Sequence, residues 1–175
     1  MADHAIVRTD LMFGTQVNAG LRSFKYMGSG STATDIDNGN VVLLDSIIVD
    51  ANSKVNDREL WKAVTPAANS AIEDIVLVAT PEVLYDEHKK GLKEFYNEAG
   101  KICRGYVLHK NDIFSVTADA LAGVTSSTAP GWVIELQAGT KLKAVASATA
   151  STTTVGKLIQ IEEINGVKYY VVEVA

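Results

Sequence analysis

The 175-residue chain is poor in cysteine (one), in proline (three) and in aromatic side chains (7%). A single cysteine, Cys103, excludes an internal disulfide framework and any multi-cysteine metal site, and it fits folding in a reducing cytosol. No basic block occurs: 16 Lys and Arg stand against 21 Asp and Glu, giving a formal net charge of −5. Such a chain has little with which to displace counterions from a phosphate backbone, so nucleic acid is not an expected partner. No run approaches the roughly 18 apolar residues of a membrane span, and the opening MADHAIVRTDLMF lacks the basic-then-apolar order of a secretory signal. Neither membrane anchorage nor export is expected.

What remains is rich in Ala, Thr, Ser, Val and Gly, with 47% hydrophobic and 21% charged residues. That length suits one core, and small and β-branched residues favour strands over large pockets. The expected fold is mainly β with a short helix (α+β): a compact antiparallel β-barrel or sandwich-like domain over residues 41–175, preceded by an extended N-terminal arm over 1–40. Glycines at 14, 20, 28 and 30 interrupt that arm, and MGSGSTATD is a polar, pliable patch. Within it HAIVRT and LRSFKYM alternate like strands. Ile6, Val7, Leu21, Phe24 and Tyr26 are therefore candidate contacts that add to a partner's sheet edge. On this reading a chain beginning near Asp35 still folds.

Further along, Val41–Val49 follows the turn signal Asn38-Gly39 and has strand length and composition. NDRELWKAVTPAA predicts one or two helical turns stopped by Pro66. IVLVAT predicts a buried strand. Tyr85, His88, Leu92, Phe95, Tyr96 and Ala99 approximate three-and-four spacing and predict the main helix, capped by Gly100, with Gly91 costing about 1 kcal/mol relative to alanine. Arg104–His109 and Ile113–Thr117 predict two strands turning at KND. AGVTSSTAPG is a loop, and WVIELQAGTKLKAVAS a hairpin bending at Ala138-Gly139. SATASTTT is an exposed low-complexity loop. LIQIEEI and VKYYVVEV flank Asn165-Gly166, the dipeptide that suits a type I′ turn. Alternation there predicts a dry face of Ile159, Ile161, Val167, Tyr169 and Val171, and a wet face of Gln160, Glu162, Lys168 and Tyr170.

The residues offer no catalytic, cofactor or metal site. Asp35-Ile36-Asp37-Asn38-Gly39-Asn40 lacks the sixth-position glycine and twelfth-position glutamate of a calcium loop, so a β-turn is the better reading. TTTVGK lacks the upstream glycine and following hydroxyl of a phosphate loop, and Gly28-Ser29-Gly30-Ser31 has the wrong register for a nucleophile elbow. Cys103 with His88 and His109 could build a thiol hydrolase, but a lone cysteine entering a strand is more often a small buried residue. Asp86-Glu87 and Glu162-Glu163 are adjacent and do not converge on one face. Trp61 or Trp132 could stack on a sugar in a carbohydrate-binding module, although tryptophan beside apolar neighbours usually fills core.

Five pieces in order, DNGNVVLL, VLVATPEVLYDE, GLKEFYNEAGKICRGYVLHKNDIFSVT, GTKLKAV and VGKLIQIEEINGVKYYVVEV, resemble the head decoration, or cement, proteins of tailed bacteriophages. The resemblance covers the chain from Asn38 onward and least the arm. It implies a structural virion protein, made in the host bacterial cytoplasm, that sits outside an assembled capsid and clamps subunits of the major capsid protein as a homotrimer. It also implies that RGYVLHKNDIFSVT forms paired strands after a short helix. No enzyme activity or cofactor is expected. A β-rich carbohydrate-binding module or another virion surface protein is the alternative.

Overall fold

A computed structural model describes residues 4–8, 20–30, 32–49, 60–83 and 91–175. The fold is mainly β, and helix is limited to single 3-10 turns among the described residues. Strands β1 (Leu21–Tyr26), β2 (Val41–Ile47), β3 (Leu60–Val64), β4 (Ile75–Val78) and β5 (Cys103–Val107) close a barrel in the order β1-β3-β2-β4-β5. Strands β6 (Ile113–Thr117), β7 (Leu121–Ala122), β8 (Val133–Glu135), β9 (Leu142–Val145), β10 (Thr154–Ile164) and β11 (Val167–Val174) form a curled sheet in the order β6-β11-β10-β8-β9-β7.

The period of two along a strand explains how barrel and sheet share a core. On β2 and β4, Val42, Val76 and Val78 point into the barrel with Phe24, Tyr26, Ile36, Ala63 and Cys103. Their neighbours Val41, Ile75 and Leu77 point outward, against Phe114, Val116, Ile134, Leu136, Leu142, Leu158 and Val172 of the sheet. All four residues of β4 are thus fully buried, as a strand covered on both faces must be. A Cβ on Gly105 would strike Leu77 O and Val76 Cγ1, so β5 packs this closely on β4 only because residue 105 is glycine.

Several sequence expectations hold: the strands at 41–47 and 75–78, the loop after Ala122, the β8–β9 hairpin, and the Asn165-Gly166 turn, whose residues have φ 53° and 77°. Others are corrected. The helix expected over 85–99 is one 3-10 turn at Leu92–Glu94 where it is described, with 84–90 outside the described residues. Gly91 and Phe95 on either side are extended, and Asn97 forms an antiparallel bridge to Ile36 instead of a helical bond. The helical turns expected in NDRELWKAVTPAA give way, from Leu60 on, to β3, which pairs with β1 and β2 on its two edges. Two ladders outweigh a local preference worth tenths of a kcal/mol. Residues 104–107 and 113–117 are strands but do not pair with each other: β5 belongs to the barrel, while β6 pairs with β11.

The C-terminal hairpin also shifts face. A register shift between Leu158 and Gln160 leaves Ile159 exposed, and Tyr170, Val172 and Val174 face the large core with Leu158. Tyr169 and Val171 lie on the opposite face and are buried as well, with the Arg8 guanidinium 5.5 Å from the Tyr169 ring centroid. Tyr169 and Val171 are thus dry and Gln160 and Lys168 wet as expected, and alternation fails at Ile159 and Tyr170, because β11 has no wet face between 169 and 172.

The extended arm is corrected too. Leu21–Tyr26 is an integral barrel strand, parallel to β3 and antiparallel to β5. Residues 4–8 lie along β6: Val7 bridges Val116, Thr117 N donates to Ile6 O and Arg8 N to Ser115 O. Residues 9–19 fall outside the described residues.

Candidate functional site

Four of the five candidate contact residues are internal. Phe24 and Tyr26 fill the barrel and Val7 the shared core; Ile6 is also buried, and only Leu21 is exposed. They hold this chain together, and their alternation is that of its own strands.

The Asn38-Gly39 turn organises a surface where ionisable, aromatic and amide groups meet around a cavity. Gly39 has φ 82° and its N–H donates to Val78 O, pinning the turn to β4. Asn38, 1% exposed, accepts from Thr80 N (3.0 Å) and Asn97 Nδ2 (3.1 Å) and donates to Thr80 O (2.8 Å). The β-turn reading of this segment is correct, and the turn ties three separate stretches of chain together.

His4, Asp35, Ile36, Asp37, Asn40 and Tyr96 line a cavity of about 370 Å³ above that junction. His4 Nδ1 lies 2.9 Å from Asp37 Oδ1, and its ring stacks on Tyr96 with centroids 4.9 Å apart. Because an ionised carboxylate only accepts, His4 Nδ1 carries the proton of this bond, which leaves Nε2 an acceptor whenever the ring is neutral. One Asp35 oxygen accepts from Ala99 N at 2.7 Å. Asn40 is 5% exposed and its Oδ1 has no hydrogen-bond partner among the described residues. No cluster of three or more metal-ligating side chains occurs among the described residues. Local spacing in Asp35–Asn40 speaks only to a turn or a calcium loop, whereas His4 and Tyr96 arrive from 31 residues before and 61 after Asp35.

The other sequence candidates do not converge on it. Cys103 is 2% exposed inside the barrel, and burial, opposed by a weaker backbone hydrogen bond from Tyr26, pushes its thiol up to about 11. His109 belongs to the turn before β6, where its N–H donates to Asp112, and His88, like Asp86 and Glu87, lies outside the described residues. Trp61 packs against the barrel core and Trp132 against the shared core, so they make no common stacking face.

One buried charge escaped the sequence reading. Glu135 is 0% exposed, and its carboxylate accepts from Thr149 N (2.9 Å), Thr149 Oγ1 (2.8 Å) and Thr152 Oγ1 (2.9 Å), with Lys143 Nζ 3.6 Å away. Burial alone would raise its pKa; the hydrogen bonds and Lys143 together outweigh that and hold the carboxyl below its ordinary value. SATASTTT is exposed as expected, yet it is anchored on this carboxylate, and Thr153 ties it to Ala68 and Ser70.

Comparison with protein-family models, with curated proteins and with solved structures found no match to this chain.

Proposed function

We propose that the chain is a head decoration protein of a tailed bacteriophage: it binds the outside of the mature capsid and cements neighbouring subunits of the major capsid protein, without catalysis. The resemblance of its ordered sequence pieces to such proteins motivates the reading. The single structural observation that carries it is the open edge of β2. From Val41 to Leu43 this strand pairs with β4, Leu43 pairs with β3 as well, and from Leu44 to Ile47 it pairs, among the described residues, with β3 alone. The free stretch and its continuation bear exposed Ile47 (38%) and Val49 (63%) beside the Asp45–Lys62 ion pair. Extended backbone from a neighbouring subunit can add there as a further strand, with alternate side chains supplying specificity.

With β1 built into the barrel, we assign attachment to this edge and not to the arm. A homotrimer at a three-fold position engages several capsid subunits at once, and linked contacts multiply a modest single affinity by about 10²–10⁴. The test is co-sedimentation with purified capsids before and after expansion. The protein should bind the expanded shells and raise their melting temperature, and a variant carrying Ile47→Lys and Val49→Lys should fold normally but bind at least tenfold more weakly. Absence of binding to expanded shells of the phage that encodes the chain overturns the reading.

A further inference from the structure

We propose that the cavity between His4, Asp35, Asp37, Asn40 and Tyr96 receives the guanidinium side chain of an arginine from another protein chain. Its wall carries two carboxylates. Asp35 and Asp37 each commit one carboxylate oxygen, to Ala99 N and to His4 Nδ1, and no hydrogen bond from the described residues reaches the second oxygen of either. His4 Nε2 accepts in the neutral ring, and Asn40 Oδ1 is buried without a donor among the described residues.

An unsatisfied buried amide oxygen costs about as much as a lost hydrogen bond, and a ligand donor removes that cost. The terminal amide torsion of asparagine is broad, so Asn40 can turn its oxygen to a donor within the cavity at little expense. Four acceptors, two of them on carboxylates, call for a cation with several N–H donors. Guanidinium supplies five in a plane, is less strongly hydrated than ammonium, and lies well against aromatic walls such as the stacked His4 and Tyr96 rings. A neutral sugar fits less well, because it brings no charge to offset the two carboxylates. The cavity is larger than one guanidinium requires, leaving room for the alkyl stem of the side chain to enter.

This inference goes beyond the capsid reading and does not depend on it, since it is tested without capsids. Two-dimensional NMR of the full chain is recorded during titration with N-acetyl-arginine methylamide, its neutral isostere N-acetyl-citrulline methylamide, and methyl glucoside at constant ionic strength. Saturable shifts of the Asn40 side-chain amide and the Tyr96 and His4 rings are expected with the arginine derivative. Citrulline, which keeps the shape and loses the charge, should bind at least tenfold more weakly. Asp35→Asn and Asp37→Asn preserve shape and an acceptor oxygen, and each should weaken arginine binding several-fold. Equal response to arginine and citrulline, selective binding of the glucoside, or no saturable shift at these residues overturns the proposal, whether or not the variants fold.

Discussion

Glu135 and Lys143 stand opposite each other on β8 and β9, with carboxylate and amine 3.6 Å apart, and yet the lysine is the weakest of the influences that keep the carboxylate charged. The stronger ones come from a loop: the Thr149 backbone N–H and the hydroxyls of Thr149 and Thr152. The cross-strand ion pair that sequence would suggest is secondary to hydrogen bonds from a segment that sequence marks as featureless.

Glu135→Gln is therefore expected to destabilise the fold by about 1.5–3 kcal/mol near neutral pH, while Lys143→Met costs less than about 1 kcal/mol because the amine is partly solvated. The folded-state pKa of Glu135 is lowered from 4.5, so its stabilisation is complete above that pH and is lost as pH falls through the folded value. Urea unfolding below pH 4.5 should show this acid loss in the parent chain and a shallower one in the glutamine variant. Parallel curves would refute the assignment.

Cys103 should react slowly with iodoacetamide in the folded chain. A thiol raised to about 11 is only about one-thousandth thiolate at pH 8, and it is 2% exposed besides. Cys103→Ser places a hydroxyl in the barrel and should cost about 1–3 kcal/mol while leaving partner binding intact. Alkylation at the rate of a free thiol, or lost binding with unchanged stability, would count against a structural role.

Gly105 and Gly156 are fixed by backbone proximity. A Cβ at 156 would meet Glu173 O, and one at 105 would meet Leu77 O; in both cases backbone must move. Alanine at either site should cost more than about 1–3 kcal/mol, the usual penalty of overpacking, whereas Gly131→Ala, with open space around it but φ 96°, should show only its backbone strain. Thermal melts of the three variants check the order.

The strands whose signal is local were legible. Val41–Ile47, Ile75–Val78 and the turn at Asn165-Gly166 needed only composition and a dipeptide. The misreadings share a cause: the deciding partner lies far away in sequence. Leu60–Val64 is a strand because β1 and β2 flank it, and Phe95 and Tyr96 leave the helical path as the chain turns to bridge Asn97 to Ile36. The arm looked loose because its glycines are local and its ladders are not. The cavity was invisible for the same reason, since its wall comes from three parts of the chain.

Removal of residues 1–34 tests the revised role of that segment. A chain beginning at Asp35, expected from sequence alone to fold, loses β1 and with it the fully buried Phe24. It should show non-cooperative melting and rapid alkylation of Cys103, and in the full chain Phe24→Ala should cost about 3–5 kcal/mol. Cooperative unfolding of the truncated chain with a protected thiol would restore the independent-arm view.

The seating of β1 between β3 and β5, and of residues 4–8 against β6, also sets an order of events during synthesis. Residues 4–8 and Leu21–Tyr26 have no complete site to occupy until Ile113–Thr117 and Cys103–Val107, respectively, have emerged behind them. A nascent chain stalled before Cys103 holds β1 with β3 as its sole ladder partner, and the barrel wall stays open. Closure waits for β5, and until then apolar side chains such as Phe24 and Val76 are exposed to whatever else the cell is making.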